Sequence, residues 1–261
     1  MDIQFYFNIF KELIKSEFVV FRQVLFNKFI DLSIWVILTI VVTGHIMPYF
    51  GLKADFGLFQ FGGVLAAVGL FELYYNIIEF IQDLEGERII NYYLTLPMPS
   101  WLAIISKTAY YFLTYSILSL FILPVGKLVL WNQLDLSQIS YFKLILALIL
   151  QNIFYACFVT WIVGVVKNMS NIGIIWARFI FPMWFMGGFQ FSWIALYSAS
   201  PVLSYINLLN PMIYITESTR VALIGQAGYI NFWLCLLAIA VFSGITLIFG
   251  ISKLKKRLDF I

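Results

Sequence analysis

Apolar residues run through this chain in long blocks separated by short polar clusters. Six blocks are long enough to be membrane spans: about 30–50, 57–80, 101–124, 142–166, 172–190 and 230–251. About 20 apolar residues in a helix cross the hydrocarbon core. Backbone groups in lipid must pair within their own segment, so each block is predicted to be helical. The period-two alternation of a transmembrane barrel strand is absent. The predicted fold class is all-α and integral to the membrane, a single transmembrane domain over 1–261 with six spans.

Three stretches depart from the block pattern. On a wheel of about 100° per residue, Asn8, Lys11, Glu12, Lys15, Ser16 and Arg22 share one side of residues 4–27. Phe7, Phe10, Leu13, Ile14, Phe18 and Phe21 cover the other, and Glu17 and Val19 fall out of pattern. This reads as an amphipathic helix lying in the membrane interface, a first transmembrane helix being the alternative. Residues 191–225 are apolar but interrupted by Pro201 and Pro211, with Ser198, Ser200, Ser204, Asn207 and Asn210 among them. Proline removes a backbone donor and breaks a helix, so a re-entrant pair of short helices in the outer leaflet is expected here, against a plain surface loop. Residues 81–99 gather Asp83, Glu85, Glu87 and Arg88 around Gly86 and end on Pro97 and Pro99. Between the glycine and the prolines, 88–96 forms a short amphipathic helix with Ile89, Ile90, Tyr93, Leu94 and Leu96 on one side.

Composition supports the membrane reading. Apolar residues make up 62% of the chain and charged residues 11%, against roughly 45–50% and about 25% in soluble domains. The net charge of +3 matters less than its placement. With the N-terminus inside, ten basic residues (Lys11, Lys15, Arg22, Lys28, Arg88, Lys167, Lys253, Lys255, Lys256 and Arg257) lie on the cytoplasmic side. Lys53, Lys127, Lys143 and Arg220 lie opposite, a bias that places both termini in the cytoplasm. Residues 81–99 then face the cytosol.

These segments resemble a known family. EGERIINYYLTLPMPSWLAIISK (85–107) is similar to the segment after the second span of ABC-2 type exporter permeases, with Glu85, Glu87, Leu94, Pro97 and Lys107 in the corresponding places. LLNPMIYITESTRVALIG (208–225) resembles the family's pattern before its last span, here Asn210, Pro211, Glu217 and Arg220. FPMWFMGGFQF (181–191) resembles the end of its fifth span. The chain departs at Arg88 and Ile89, where the family often has Gly-Thr. The resemblance implies an export permease of a bacterial inner membrane that works as a homodimer or heterodimer of permeases. In that role Asp83, Glu85, Gly86, Glu87, Arg88 and Pro97 form an ATPase-coupling segment docked on a separate cytoplasmic ATPase, which binds ATP and Mg. The cargo it implies is drug-like or lipid-like, the alternative being a lipid-linked polysaccharide. A motor-independent channel or an intramembrane enzyme is the reading from another class.

No catalytic site is visible. The phosphate-binding pattern G-x-x-x-x-G-K-[ST] is missing, since Gly126 and Lys127 are followed by Leu128. His45 has no second ligand at helical spacing, so no metal, cofactor or nucleic-acid site is expected, and membrane lipid is the expected surroundings. Cys157 and Cys235 sit in apolar runs as small hydrophobes. Charges inside spans carry the remaining signal, because burying one costs about 2.5–3.5 kcal/mol on insertion scales. Glu72 and Arg178 are expected to pair or line a path, with Tyr75 and Trp184 beside them; the alternative is that Arg178 reaches the interface.

Overall fold

A computed structural model describes residues 3–258 apart from 54, 88 and 167, and the side chains of all these except 3, 87, 91 and 94. The expectations for Arg88 and for the Glu87 side chain therefore lie outside the described residues. Helices joined by short turns and loops make up the described chain, with no strand among the described residues. Among the described residues five helices are long and apolar enough to cross a membrane.

The first helix, α1 (Ile3–Ile40), continues through a wide π turn, Val41–Ile46, and a 3-10 turn, Met47–Phe50. The expected interfacial helix over 4–27 and the expected first span are thus one rod. The reason is local: no glycine precedes Gly44 and no proline precedes Pro48, so nothing stops propagation. The chain then reverses through Gly51 at φ +96°. The rod of 47 residues is about 70 Å long at about 1.5 Å per residue, more than twice the hydrocarbon thickness. Part of its apolar stripe is taken up by protein: Leu13 and Phe21 are buried, and Phe18 and Phe21 meet the Tyr110 ring edge-on at 6.1 and 6.3 Å.

Helix α2 (Phe56–Gln82) runs on into a π turn, Asp83–Glu87, and is followed by the short α3 (Ile89–Thr95) and by α4 (Ser100–Val129). Helix α5 (Tyr141–Val165) and α11 (Phe232–Leu258) lie against each other along most of their length. Glycines permit that approach. A Cβ on Gly250 would stand 2.9 Å from the Trp161 backbone nitrogen, and one on Gly164 would stand 3.0 Å from that of Leu254. The core is built on α2 and α5, whose most apolar windows are 78% and 67% buried, against 22% for α1 and 28% for α11. Helix α11 leaves Trp233, Leu234, Leu237, Val241, Ile245, Ile248 and Phe249 bare on its flank. A surface of that kind suits hydrocarbon rather than water.

The expected span over 172–190 is shorter and irregular. It consists of α6 (Ile172–Ile175), a π stretch (Trp176–Ile180) and α7 (Phe181–Phe185), and it reaches Gly188 at φ +78°. Pro182 has no N–H for the carbonyl four residues back, which falls inside the π stretch. The expected re-entrant pair over 191–225 is three helices: α8 (Trp193–Ala199), α9 (Pro201–Asn207) and α10 (Pro211–Ile224). Prolines start α9 and α10, where their missing N–H costs nothing. Helix α10 is buried from Met212 to Leu223 and packs on α2, α5 and α11, so it belongs to the protein core.

Candidate functional site

The α2–α3 corner is assembled by its own acids. Asp83 Oδ1 accepts from the Ile89 amide at 2.6 Å and its Oδ2 from the Ile90 amide at 3.2 Å, so this carboxylate caps α3 across the turn. Glu85 Oε1 accepts from the Met169 amide at 3.3 Å and joins the corner to the chain beyond α5. Gly86 faces open space and Pro97 is exposed. Ile90 is buried at 1% and Ile89 is 45% exposed, and the Leu94 side chain expected on the same side lies outside the described residues.

A second latch ties α3 to the spans. Lys107 on α4 pairs with Glu17 on α1 at 2.8 Å, and the Tyr93 hydroxyl of α3 donates to the same Glu17 oxygen at 3.2 Å. The two charged side chains are 11% and 12% exposed. Lys107 also lies 5.6 Å from the Tyr110 ring centroid. Burial first, and the Glu17 charge second, push the Tyr93 hydroxyl up to about 12, so it remains a hydrogen-bond donor at neutral pH. Glu17 is the residue that fell off the polar face of the wheel, and this inward turn is the reason.

Glu72 pairs with Lys28 of α1 at 2.5 Å, and not with Arg178. Arg178 is exposed on the π stretch and forms no ion pair among the described residues. Lys28 lies 5.5 Å from the Tyr75 ring centroid. One helical turn further along α2, Asn76 donates to the Tyr115 hydroxyl at 2.7 Å. A cleft of about 610 Å³ between α1, α2 and α4 is lined by Lys28, Glu72, Tyr75 and Asn76 among others. Trp184 stands behind this wall, packed on Phe71 at 5.6 Å and on Phe189 at 4.8 Å. The four residues expected to share one path thus divide: Glu72 and Tyr75 line the cleft, while Arg178 and Trp184 do not. Lys28 was legible as a basic residue but gave no sign of a partner 44 positions away.

The expected outer motif is a buried polar knot. Asn210 Oδ1 caps α10 by accepting from the Met212 amide at 3.0 Å, and its Nδ2 donates to the Met183 carbonyl at 2.7 Å. Arg220 is fully buried. It donates to the carbonyls of Phe59 (3.0 Å), Gly188 (2.6 Å), Phe189 (3.0 Å) and Phe191 (3.2 Å), and its guanidinium stacks 3.5 Å from the Phe59 ring centroid. Gly62 and Gly63 make the room: a Cβ on Gly62 would sit 2.7 Å from Arg220 Cγ. Glu217 accepts from the Trp193 amide at 2.9 Å and the Ile230 amide at 2.8 Å. Helix α10 is too short to span a bilayer. Burial pulls the Arg220 guanidinium down to about 10, which leaves it charged at neutral pH. Burial also raises the Glu217 carboxyl, against the opposing pull of its two amide donors and Arg220. These residues fasten loops to helices and offer no open surface to a ligand.

Among the described residues no three His, Cys, Asp or Glu side chains lie together as a metal site. His45 Nε2 lies 3.0 Å from the Val129 carbonyl. A scan against models of known protein families gives no match, and a search of curated proteins finds no relative.

Proposed function

We propose that the chain is the membrane-spanning permease subunit of an ATP-driven exporter of the ABC-2 type. In this reading it sits in a bacterial inner membrane with both termini inside and moves a hydrophobic or amphiphilic compound outward. The motor is a separate cytoplasmic ATPase carrying ATP and Mg, and a second permease copy completes the transporter. The single observation that carries the reading is the α2–α3 corner. A short helix, capped by Asp83 and tied by Tyr93 to the Glu17–Lys107 pair, is joined to three long helices at once. A push on α3 is therefore delivered to α1, α2 and α4 together, which is what a lever between a motor and a bundle requires.

Connectivity supports a sixth crossing in the same reading. Met169 bonds to Glu85 at one end of α2, and Phe189 lies beside Gly63 near the other. The intervening chain follows about 22 residues of α2, roughly 33 Å, comparable with the hydrocarbon core. Arg257 donates to the Val163 carbonyl at 2.8 Å, which puts the end of α11 beside the end of α5. The amphipathic first half of α1 then rests at the inner surface, and α8 and α9, with Val202, Tyr205 and Ile206 exposed, rest in the outer leaflet.

The test is ATPase activity in proteoliposomes holding this chain and an ABC ATPase that co-purifies with it. The chain alone should show no ATP turnover. Asp83→Ala, which removes both capping bonds of α3, should lower cargo-stimulated turnover several-fold while leaving the bundle's thermal midpoint unchanged. Unchanged stimulation in that variant, or turnover by the chain alone, contradicts the proposal.

A further inference from the structure

The cleft between α1, α2 and α4 carries chemistry that the lever does not use. Val20 and Val24, which line it from α1, are 59% and 40% exposed, so the cleft reaches the surface there. Inside, Asp31, Glu72, Glu79 and Lys28 stand among the aromatic walls of Trp35 and Phe71. Lys28 neutralises Glu72. Asp31 and Glu79 form no ion pair among the described residues. Beyond the Lys28–Glu72 pair, Asp31 and Glu79 line a space of about 610 Å³, with Lys107 acting on Glu79 from beside the Tyr110 wall. That volume falls within the roughly 300–1,000 Å³ of drug-sized ligand sites.

Charge and surface together select the occupant. Asp31 and Glu79 hold negative charge at the accessible edge of the cleft, which attracts a cation, and the aromatic faces of Trp35 and Phe71 attract the same cation and pack on its apolar groups. An anion of equal size meets like charge, and a neutral compound gains nothing from Asp31 and Glu79. We infer that this cleft binds a lipophilic organic cation, a quaternary ammonium or phosphonium bearing apolar substituents. The inference rests on the exporter reading for the ligand's role as cargo, while the binding itself stands without it.

The purified full chain in phosphatidylcholine nanodiscs tests this with radiolabelled tetraphenylphosphonium and its anionic counterpart of matched shape, tetraphenylborate. The expected result is saturable binding of the phosphonium and only non-saturable partitioning of the borate. Asp31→Asn/Glu79→Gln should weaken phosphonium binding by about tenfold, the loss expected from removing two complementary charges. Both replaced side chains are exposed, and an unchanged thermal midpoint checks that the double variant folds. If that midpoint falls, Asp31→Asn alone should still weaken binding. Non-saturable phosphonium binding, equal saturable binding of the borate, or full affinity in the folded variants would overturn the inference. No ATPase is present in this assay, so its failure leaves the exporter reading intact. Conversely, a failed ATPase assay leaves the cation site standing.

Discussion

Arg220 carries a buried charge with no carboxylate within ion-pair distance among the described residues, and four backbone carbonyls take that role. Each carbonyl left unpaired costs about 1–3 kcal/mol. Arg220→Ala is therefore expected to cost at least about 3 kcal/mol and to lower the thermal midpoint of the purified chain sharply. Arg220→Lys should fall between, because one ammonium cannot reproduce the planar fork. Equal midpoints for all three chains would refute the stapling role. Glu217 gives a pH test with a definite sign. Its folded carboxyl is raised above the ordinary 4.5, so the folded state holds its proton more tightly than the unfolded state does. This contribution is full below the ordinary value and is lost as pH rises through the raised one. Across about pH 4 to 7 the thermal midpoint should decline more steeply in the natural chain than in Glu217→Gln; parallel curves would contradict it.

At the scale of helices, the contact of α5 with α11 depends on the absence of two side chains. Gly250→Ala would press a methyl against the Trp161 backbone, which cannot yield as a flexible side chain can. The expected loss is about 1–3 kcal/mol, read as a lower thermal midpoint. Gly244→Ala on the same helix faces open space, and better helix propensity should make it neutral or stabilising by up to about 1 kcal/mol. Equal effects at the two positions would show that packing at Gly250 is not the constraint. Hydrophobic blocks made the long helices legible because each helix α2, α4, α5 and α11 coincides with one apolar run. The union of 4–27 with the first span was missed because amphipathicity describes a surface and not a break. The shortened α6–α7 was missed because run length takes no account of a π stretch before Pro182. Asn210 and Pro211 did mark the start of α10, through capping chemistry that is local in sequence. Its burial depends on α2, α5 and α11 and has no local signature.

At the scale of the molecule, the same contrast separates what the residues announced from what only folding brings together. The acidic corner at 83–87 was visible as charge between apolar runs, while the amides that Asp83 and Glu85 bind within the chain were not. Lys28 with Glu72, and Glu17 with Lys107, are joined across 44 and 90 positions, separations no periodicity encodes. The proposed lever role requires that α3 face the cytoplasm. Tyr92 on α3 is 64% exposed, whereas Cys157 and Cys235 are 4% and 0% exposed, so a single new thiol can be read against a silent background. Tyr92→Cys, treated with a membrane-impermeant maleimide, should be labelled in inside-out vesicles and protected in intact cells. Labelling in intact cells would put α3 outside and contradict the account.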